Sequence, residues 1–390
     1  MQLRLAKESS IRFVVECQIH QVPAWVVEIT NLLPDMRKVA VETVLTVLTV
    51  DEWYQAGRSL FYDLNHKKIL SKKNDYSVRV FQKTANVSKN PATRWISFLP
   101  GFPDGSFGFA HVNQALKSES PRLFVEYPGN GSSDELPTGT CGVTARADLV
   151  EALWKFNGVQ RTVVVASDFS SLVVMELLRR QKEQGSVRQT RIEHVISING
   201  RYFASDGKGP KRLSGRLAPN RMLDRVVKSM YGTAYRTSKL SKAELQEKEK
   251  AIRQQNVTRL LAEPRELSIE QKQSVLRWNL PSVYEDCCLG QGITFHLVSS
   301  DEDRDGASQL DLVHKALHAY YPNVRCDRLR AGHFVATEEP AKIAEYIQSL
   351  TRKGNSNEGV ARSWTTVDQP TSWNEAPPVP KARPWVSLRS

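Results

Sequence analysis

The stretch Thr162-Val-Val-Val-Ala-Ser-Asp-Phe-Ser-Ser-Leu-Val-Val-Met-Glu-Leu-Leu-Arg179 runs from a short β-branched segment through a turn of small residues into an apolar helix, with Asp168 at the apex of the turn. A nucleophile carried on so sharp a strand-to-helix turn needs small residues two places before and two places after it, because the two backbones nearly touch there. Ala166 and Ser170 meet that need around Asp168. Centred on Ser167, the same turn would put Val165 and Phe169 at the crowded places; centred on Ser170, it would put Asp168 and Leu172 there. The candidate nucleophile is therefore a carboxylate. The plainer reading is an aspartate that caps the helix opening at Ser170, and residues elsewhere in the chain separate the two.

Outward from this turn the chain alternates strand and helix patterns. Residues 59–63 and 76–83 read as an opening hairpin, with Val78 and Val80 at period two. The apolar runs 95–99 and 123–125 read as strands, with a helix around 109–116 between them. Val143, Ala147, Val150 and Trp154 recur at helical spacing and are closed by Asn157-Gly158. Strands follow at 162–166, 194–199, 294–298 and 324–329, with Leu310, Val313, Leu317 and Tyr320 marking a helix between the last two. Ile343, Ile347 and Leu350 mark a final helix with Pro340 in its first turn. Such alternation predicts an α/β fold, a mostly parallel central sheet with helices on both faces.

The organisation expected is an N-terminal helical extension over 1–55 and a core in two parts, 56–200 and 291–351. A helical, basic lid over 201–290 interrupts that core, and a low-complexity tail over 352–390 follows it. The lid is broken by Pro210, Pro219 and Pro264 and enters where α/β sheets bind ligands, at the carboxyl ends of the strands. The tail carries Trp364, Trp373 and Trp385 among Gly, Ser, Asn and Pro and cannot build a core of its own.

At 390 residues and 40% hydrophobic content the chain is that of a globular protein, not a disordered one. Its net charge of +12 is concentrated between Arg201 and Leu260, where 15 lysines and arginines face five acidic residues. That segment, 201–260, is expected either to be a solvated basic lid or to meet a protein or RNA partner or anionic lipid. Cys17, Cys141, Cys287, Cys288 and Cys326 show no CxxC pair and no metal spacing, so they read as reduced thiols of an intracellular protein, with no metal and no cofactor implied. No apolar run is long enough for a transmembrane span. Arg4, Lys7, Arg12, Ser9 and Ser10 against the single Glu8 give the first residues a mitochondrial-presequence character, with the membrane surface and the cytoplasm as the other locations considered.

An aspartate nucleophile needs a base to activate the water that cleaves its ester, and that base needs an orienting acid. On a sheet of this kind they follow in the order nucleophile, acid, histidine. The acidic loop holding Asp301, Glu302 and Asp303 follows the strand at 294–298, and His333 lies in a Gly-His turn after the strand at 324–329. The two amide donors for an oxyanion come from Phe169, after the nucleophile, and from Phe102, after Pro100-Gly101.

Leu99-Pro-Gly-Phe-Pro-Asp-Gly-Ser-Phe107, Tyr127-Pro-Gly-Asn-Gly-Ser-Ser-Asp134, Ala166-Ser-Asp-Phe-Ser170, Ser197-Ile-Asn-Gly200 and Gly332-His-Phe334 together resemble the epoxide hydrolase and haloalkane dehalogenase branch of the α/β-hydrolases. They are most similar to its mesoderm-specific transcript type. The resemblance spans about residues 52–351 and implies Asp168 as nucleophile, Asp303 as orienting acid and His333 as base. Tyr231 and Tyr235 are lid candidates for opening an epoxide by their location in the chain alone. The chain departs from the branch at Pro100 and Ser167, where histidines are usual, and at Ser170, where glycine is usual. Extra atoms at Ser170 are expected to crowd the turn, and proline at 100 to stiffen it. Phe169 stands where a halide-binding tryptophan would be, which turns the reading away from dehalogenation.

Two functions follow. One is a hydrolase that forms a covalent ester at Asp168 with a small apolar electrophile such as an epoxide or ester. The other is a catalytically degenerate member of the same fold, serving as a subunit or binding module of a larger mitochondrial or ribonucleoprotein assembly.

Overall fold

A computed structural model describes residues 48–90, 92–103, 105–137, 139, 141–184, 190–202, 240–254, 266–272, 280–302, 309–313 and 323–351. In chain order the elements are α1 (Val50–Gln55), β1 (Arg58–Asp63), β2 (Lys68–Leu70), β3 (Ser77–Ala85), β4 (Arg94–Leu99), α2 (Ala110–Ala115), β5 (Arg122–Val125), α3 (Val143–Asn157), β6 (Arg161–Ser167), α4 (Ser170–Gln184), β7 (Arg191–Ile198), α5 (Lys242–Arg253), α6 (Leu280–Glu285), β8 (Thr294–Ser300), β9 (Val324–Leu329), α7 (Val335–Glu338) and α8 (Pro340–Thr351). The strands pair in the order β2-β1-β3-β5-β4-β6-β7-β8-β9. From β5 to β9 every neighbouring pair is parallel, while β1, β2 and β3 join antiparallel at one edge. This is the mostly parallel, helix-covered sheet that the alternation of patterns predicts. The strand β2, too short to show a period, completes a hairpin inside the expected one.

Period-two alternation divides the strand residues between two cores. On one face Trp95, Leu99, Val164 and Ala166 pack under α3 and α4 with Leu153, Trp154 and Leu177. On the other, Ile96, Phe98, Val163 and Val165 pack under α2 and α8 with Phe109, Val112, Ile343 and Ile347. The α3 helix ends where expected, at Gly158, whose φ of 69° closes the last turn. Three buried polar groups in these layers satisfy one another: the Trp154 indole donates to Ser97 Oγ at 2.8 Å, and Ser97 Oγ meets Thr162 Oγ1 at 2.8 Å.

The sequence reading ends the N-terminal extension at 55, yet the compact unit starts at Leu48 and includes α1. The reason is burial. Val50 and Trp53 are covered, and Trp53 stacks edge-on against Phe124 at 5.0 Å. A capping box of Thr49 and Glu52 starts this helix. The segment expected to form a lid contains α5, which opens on a second capping box of Ser241 and Glu244 and lies against α1, with Glu247 accepting from the Val50 amide at 2.8 Å. Among the described residues no helix is long and apolar enough to cross a membrane.

Near the amino ends of the parallel strands, His194 on β7 is buried and meets Thr294 Oγ1 at 2.6 Å. Burial, helped by the charge of Arg94, depresses its pKa from 6.5 to about 4. A histidine kept neutral in the fold binds its proton more readily when unfolded, so its contribution to stability is intact above pH 6.5 and is lost as the pH falls towards 4. The gap amounts to about 3 kcal/mol. Denaturant midpoints measured from pH 7 to pH 4 are expected to fall, and His194→Asn to flatten that dependence.

Candidate active site

The site gathers at the carboxyl ends of β4, β6, β7, β8 and β9. The strand β4 lies between β5 and β6, so the connections leaving it and its neighbour β6 diverge and open a crevice between their loops. Asp168 follows β6 with a φ of 50°, a left-handed conformation that costs little for aspartate and suits a sharp turn into α4. Its amide donates to Ile198 O at 2.9 Å, and its carbonyl accepts from the Ser171 amide and hydroxyl at 3.1 and 2.8 Å. Gly101 approaches so closely that a Cβ there would stand 2.9 Å from Ser167 Oγ and 3.0 Å from Asp168 Cβ.

Ser170 does not crowd this turn as the sequence suggested. Its hydroxyl donates to Pro100 O at 2.5 Å and meets the Tyr127 hydroxyl at 2.9 Å, so the atoms that glycine would lack tie the apex to the turn after β4. Ser170→Ala removes this hydrogen bond from the buried Tyr127 hydroxyl and from the Pro100 carbonyl. It is expected to lower stability by about 1–2 kcal/mol in chemical denaturation.

The Asp168 carboxylate is buried, and Oδ1 accepts a hydrogen bond from Arg201 Nε. The guanidinium lies over the Phe169 ring with its centre 5.0 Å away. The Arg201 backbone is fixed from both sides: its amide donates to Ser171 Oγ at 2.9 Å, and its carbonyl accepts from Gln271 Nε2, on the helix at 266–272, at 3.1 Å. No described residue bonds Oδ2. Arg201 thus holds one of the two carboxylate oxygens.

His333 sits on the turn after β9, its ring edge against Phe334 at 5.2 Å. Two residues on other elements brace that turn. Asn199, with a φ of 48°, donates from Nδ2 to His333 O at 3.1 Å and accepts the Ser300 amide at 2.9 Å. Glu338 accepts the Gly332 amide at 2.9 Å. Burial raises the Glu338 pKa and the charge of Glu302 adds to this, against the Gly332 and Phe334 amides and His333. Asp301 spends Oδ1 on the Ala331 amide at 3.3 Å. Asp303, Tyr231 and Tyr235 lie outside the described residues.

Among the described residues, neither the Phe102 nor the Phe169 amide is engaged in a hydrogen bond. That is the state required of oxyanion donors. A cavity of about 30 Å³ opens beside them, lined by Gly101, Phe102, Ser167, His333 and Phe334 among others. The structure thus brings His333, Ser167 and Phe102 to one cavity, while Asp168 turns its carboxylate to Arg201. No group of three His, Cys, Asp or Glu among the described residues could hold a metal.

Sequence reasoning overlooked Arg201, Asn199 and Glu338. A signal existed for the first two, because they flank Gly200 directly after a strand that ends at the same level as Asp168. Glu338 offered none: a glutamate near the start of a helix is ordinary until the Gly332 amide is seen to point at it.

No family model matches the chain, and no curated protein matches it in sequence. Solved structures do match. An esterase from Exiguobacterium antarcticum superposes with a TM-score of 0.53 at 11% identity, covering 75% of this chain and 98% of its own. A thermophilic esterase from Thermogutta terrifontis gives 0.54 at 13% identity, covering 75% and 97%. A haloalkane dehalogenase loop variant from Bradyrhizobium elkanii gives 0.50 at 13% identity, covering 73% and 95%. At such identities the likeness speaks for architecture alone, and together with the strand order and the turn at Asp168 it establishes that this chain has the α/β-hydrolase fold.

Proposed function

We propose that the chain is a hydrolase in which Asp168 attacks a small apolar electrophile, an epoxide or an ester-like compound, through a covalent ester. The observation that carries this reading is the apex itself. Among the described residues, Asp168 is held at a φ of 50° with one carboxylate oxygen clamped by Arg201 and the other unbonded, and the amides of Phe102 and Phe169 are unengaged. In the first step Oδ2 forms a bond to the electrophilic carbon while the carbon–oxygen bond of an epoxide breaks. The alkoxide then takes a proton from solvent or from a lid tyrosine, Tyr231 or Tyr235. In the second step His333, oriented by Asp303, takes a proton from water as the water adds to Asp168 Cγ. The tetrahedral oxyanion is held by the Phe102 and Phe169 amides, and its collapse releases the alcohol and restores the carboxylate.

The test is mass spectrometry of the Asp168 peptide after turnover of styrene oxide in ¹⁸O water. Solvent oxygen should enter the Asp168 carboxylate, and Asp168→Asn should abolish both turnover and labelling. Turnover that persists in Asp168→Asn would refute the mechanism.

One observation favours a second reading, a catalytically silent fold used for binding. Arg201 stabilises Asp168 as an ion pair, and a charge so satisfied is a weaker nucleophile. In that reading the basic segment 201–260 grips a protein or RNA partner in a mitochondrial or other intracellular assembly. Charge reversal at Lys211, Arg212 and Arg216 would then release a co-purifying partner.

A further inference from the structure

We propose that the cavity between Ser167 and His333 seats the water that hydrolyses the Asp168 ester, with Ser167 positioning it; this rests on the aspartate mechanism above. Three observations converge on it. First, size: about 30 Å³ is enough for one or two waters. Second, chemistry: the Ser167 hydroxyl has no hydrogen-bond partner among the described residues although it lines the cavity with His333. Thr337, on the same wall, offers a hydroxyl whose one hydrogen bond among the described residues is a 3.4 Å contact to Gly108 O. Third, placement: Ser167 continues the face of β6 that carries Val163 and Val165, so it projects into the layer of Phe109, Val335 and Ala336, all three being part of that core and of the cavity wall.

The next residue leaves the strand at a positive φ, and its Cβ comes within 3.0 Å of the point where a Cβ on Gly101 would lie. Gly101 and Ser167 both line the cavity, so its wall is built from the chain neighbour of Asp168 and from the glycine packed against it. A water bonded to the Ser167 hydroxyl and to the His333 ring gives up one proton to His333 and forms its new bond to Asp168 Cγ. The carbon–oxygen bond to the product breaks, and His333 returns the proton to the departing alkoxide. Atoms and charge balance, with water the sole co-reactant.

The experiment is rapid-quench mass spectrometry of the Asp168 peptide in the full chain with styrene oxide, for the unchanged protein, Ser167→Val, Ser167→Ala, Ser167→Thr and His333→Gln. Ser167→Val fills the cavity and should leave first-turnover ester formation within about twofold while slowing ester decay by about 10²-fold, the cost expected of a misplaced reactant. Ser167→Ala, which keeps the space and loses the hydroxyl, should slow decay by about tenfold, and Ser167→Thr, which keeps the hydroxyl, should restore it. Decay at the unchanged rate in both Val and Ala overturns the water seat. So does an equal fall of formation and decay, the mark of general disturbance. Absence of any ester, in the unchanged protein and in His333→Gln alike, overturns the aspartate mechanism and the water seat with it.

Discussion

His333→Gln is expected to stop the reaction half-way, with the Asp168 ester formed and held and steady turnover lowered by about 10²–10⁴-fold. In the proposed mechanism the asymmetry between the two steps follows from the geometry. Attack by Asp168 needs only the unbonded Oδ2, which Arg201 orients through Oδ1 without help from His333. Release needs a base, and His333 is the titratable side chain on the cavity wall. Its turn is clamped by Asn199 and by Glu338, so glutamine can occupy the place of the imidazole while lacking its basicity. A burst of one equivalent of bound styrene oxide followed by near silence is the expected trace. An unchanged steady rate would place the base elsewhere.

Glu126→Ala is expected to give the largest loss of stability, about 3–5 kcal/mol. Glu126 follows β5 and is wholly buried. Its carboxyl accepts the Ser106 hydroxyl at 2.6 Å, the Ser106 amide at 3.0 Å and the Tyr54 hydroxyl at 3.1 Å. Truncation takes this acceptor from the buried Ser106 amide and hydroxyl and from the part-buried Tyr54 hydroxyl, at about 1–3 kcal/mol for each buried donor before any relaxation. It also removes the group packed against Gly105, whose φ of 62° leaves its open side facing Glu126: a Cβ there would meet Oε1 at 2.4 Å. Since Gly105 lines the cavity with His333, the defect should reach the site as well. Glu126→Gln keeps the volume and one acceptor oxygen and should lose about half as much. Urea denaturation of the three proteins measures the differences.

The edges of the elements were legible in the sequence wherever a period ran long enough. The continuous apolar runs at β4, β5 and β6 are buried on both faces and so read as parallel strands. The three-residue β2 has no period to read and went unnoticed. Ser170 was misjudged for another reason. Size alone made it an obstruction, and only the position of Pro100 O and the Tyr127 hydroxyl turns its extra atoms into a tie.

By itself the sequence determined the α/β alternation, the turn that makes Asp168 rather than a serine the apex, and the place of His333 after the last strand, because each depends on residues close together along the chain. The tertiary structure decided which groups surround them. Arg201 reaches Asp168 from 33 residues away, Asn199 braces His333 across 134, and Ser167 faces His333 over a cavity. Those meetings depend on how β6, β7 and β9 are registered side by side, and strand register is set by the packing of whole faces that no local pattern encodes.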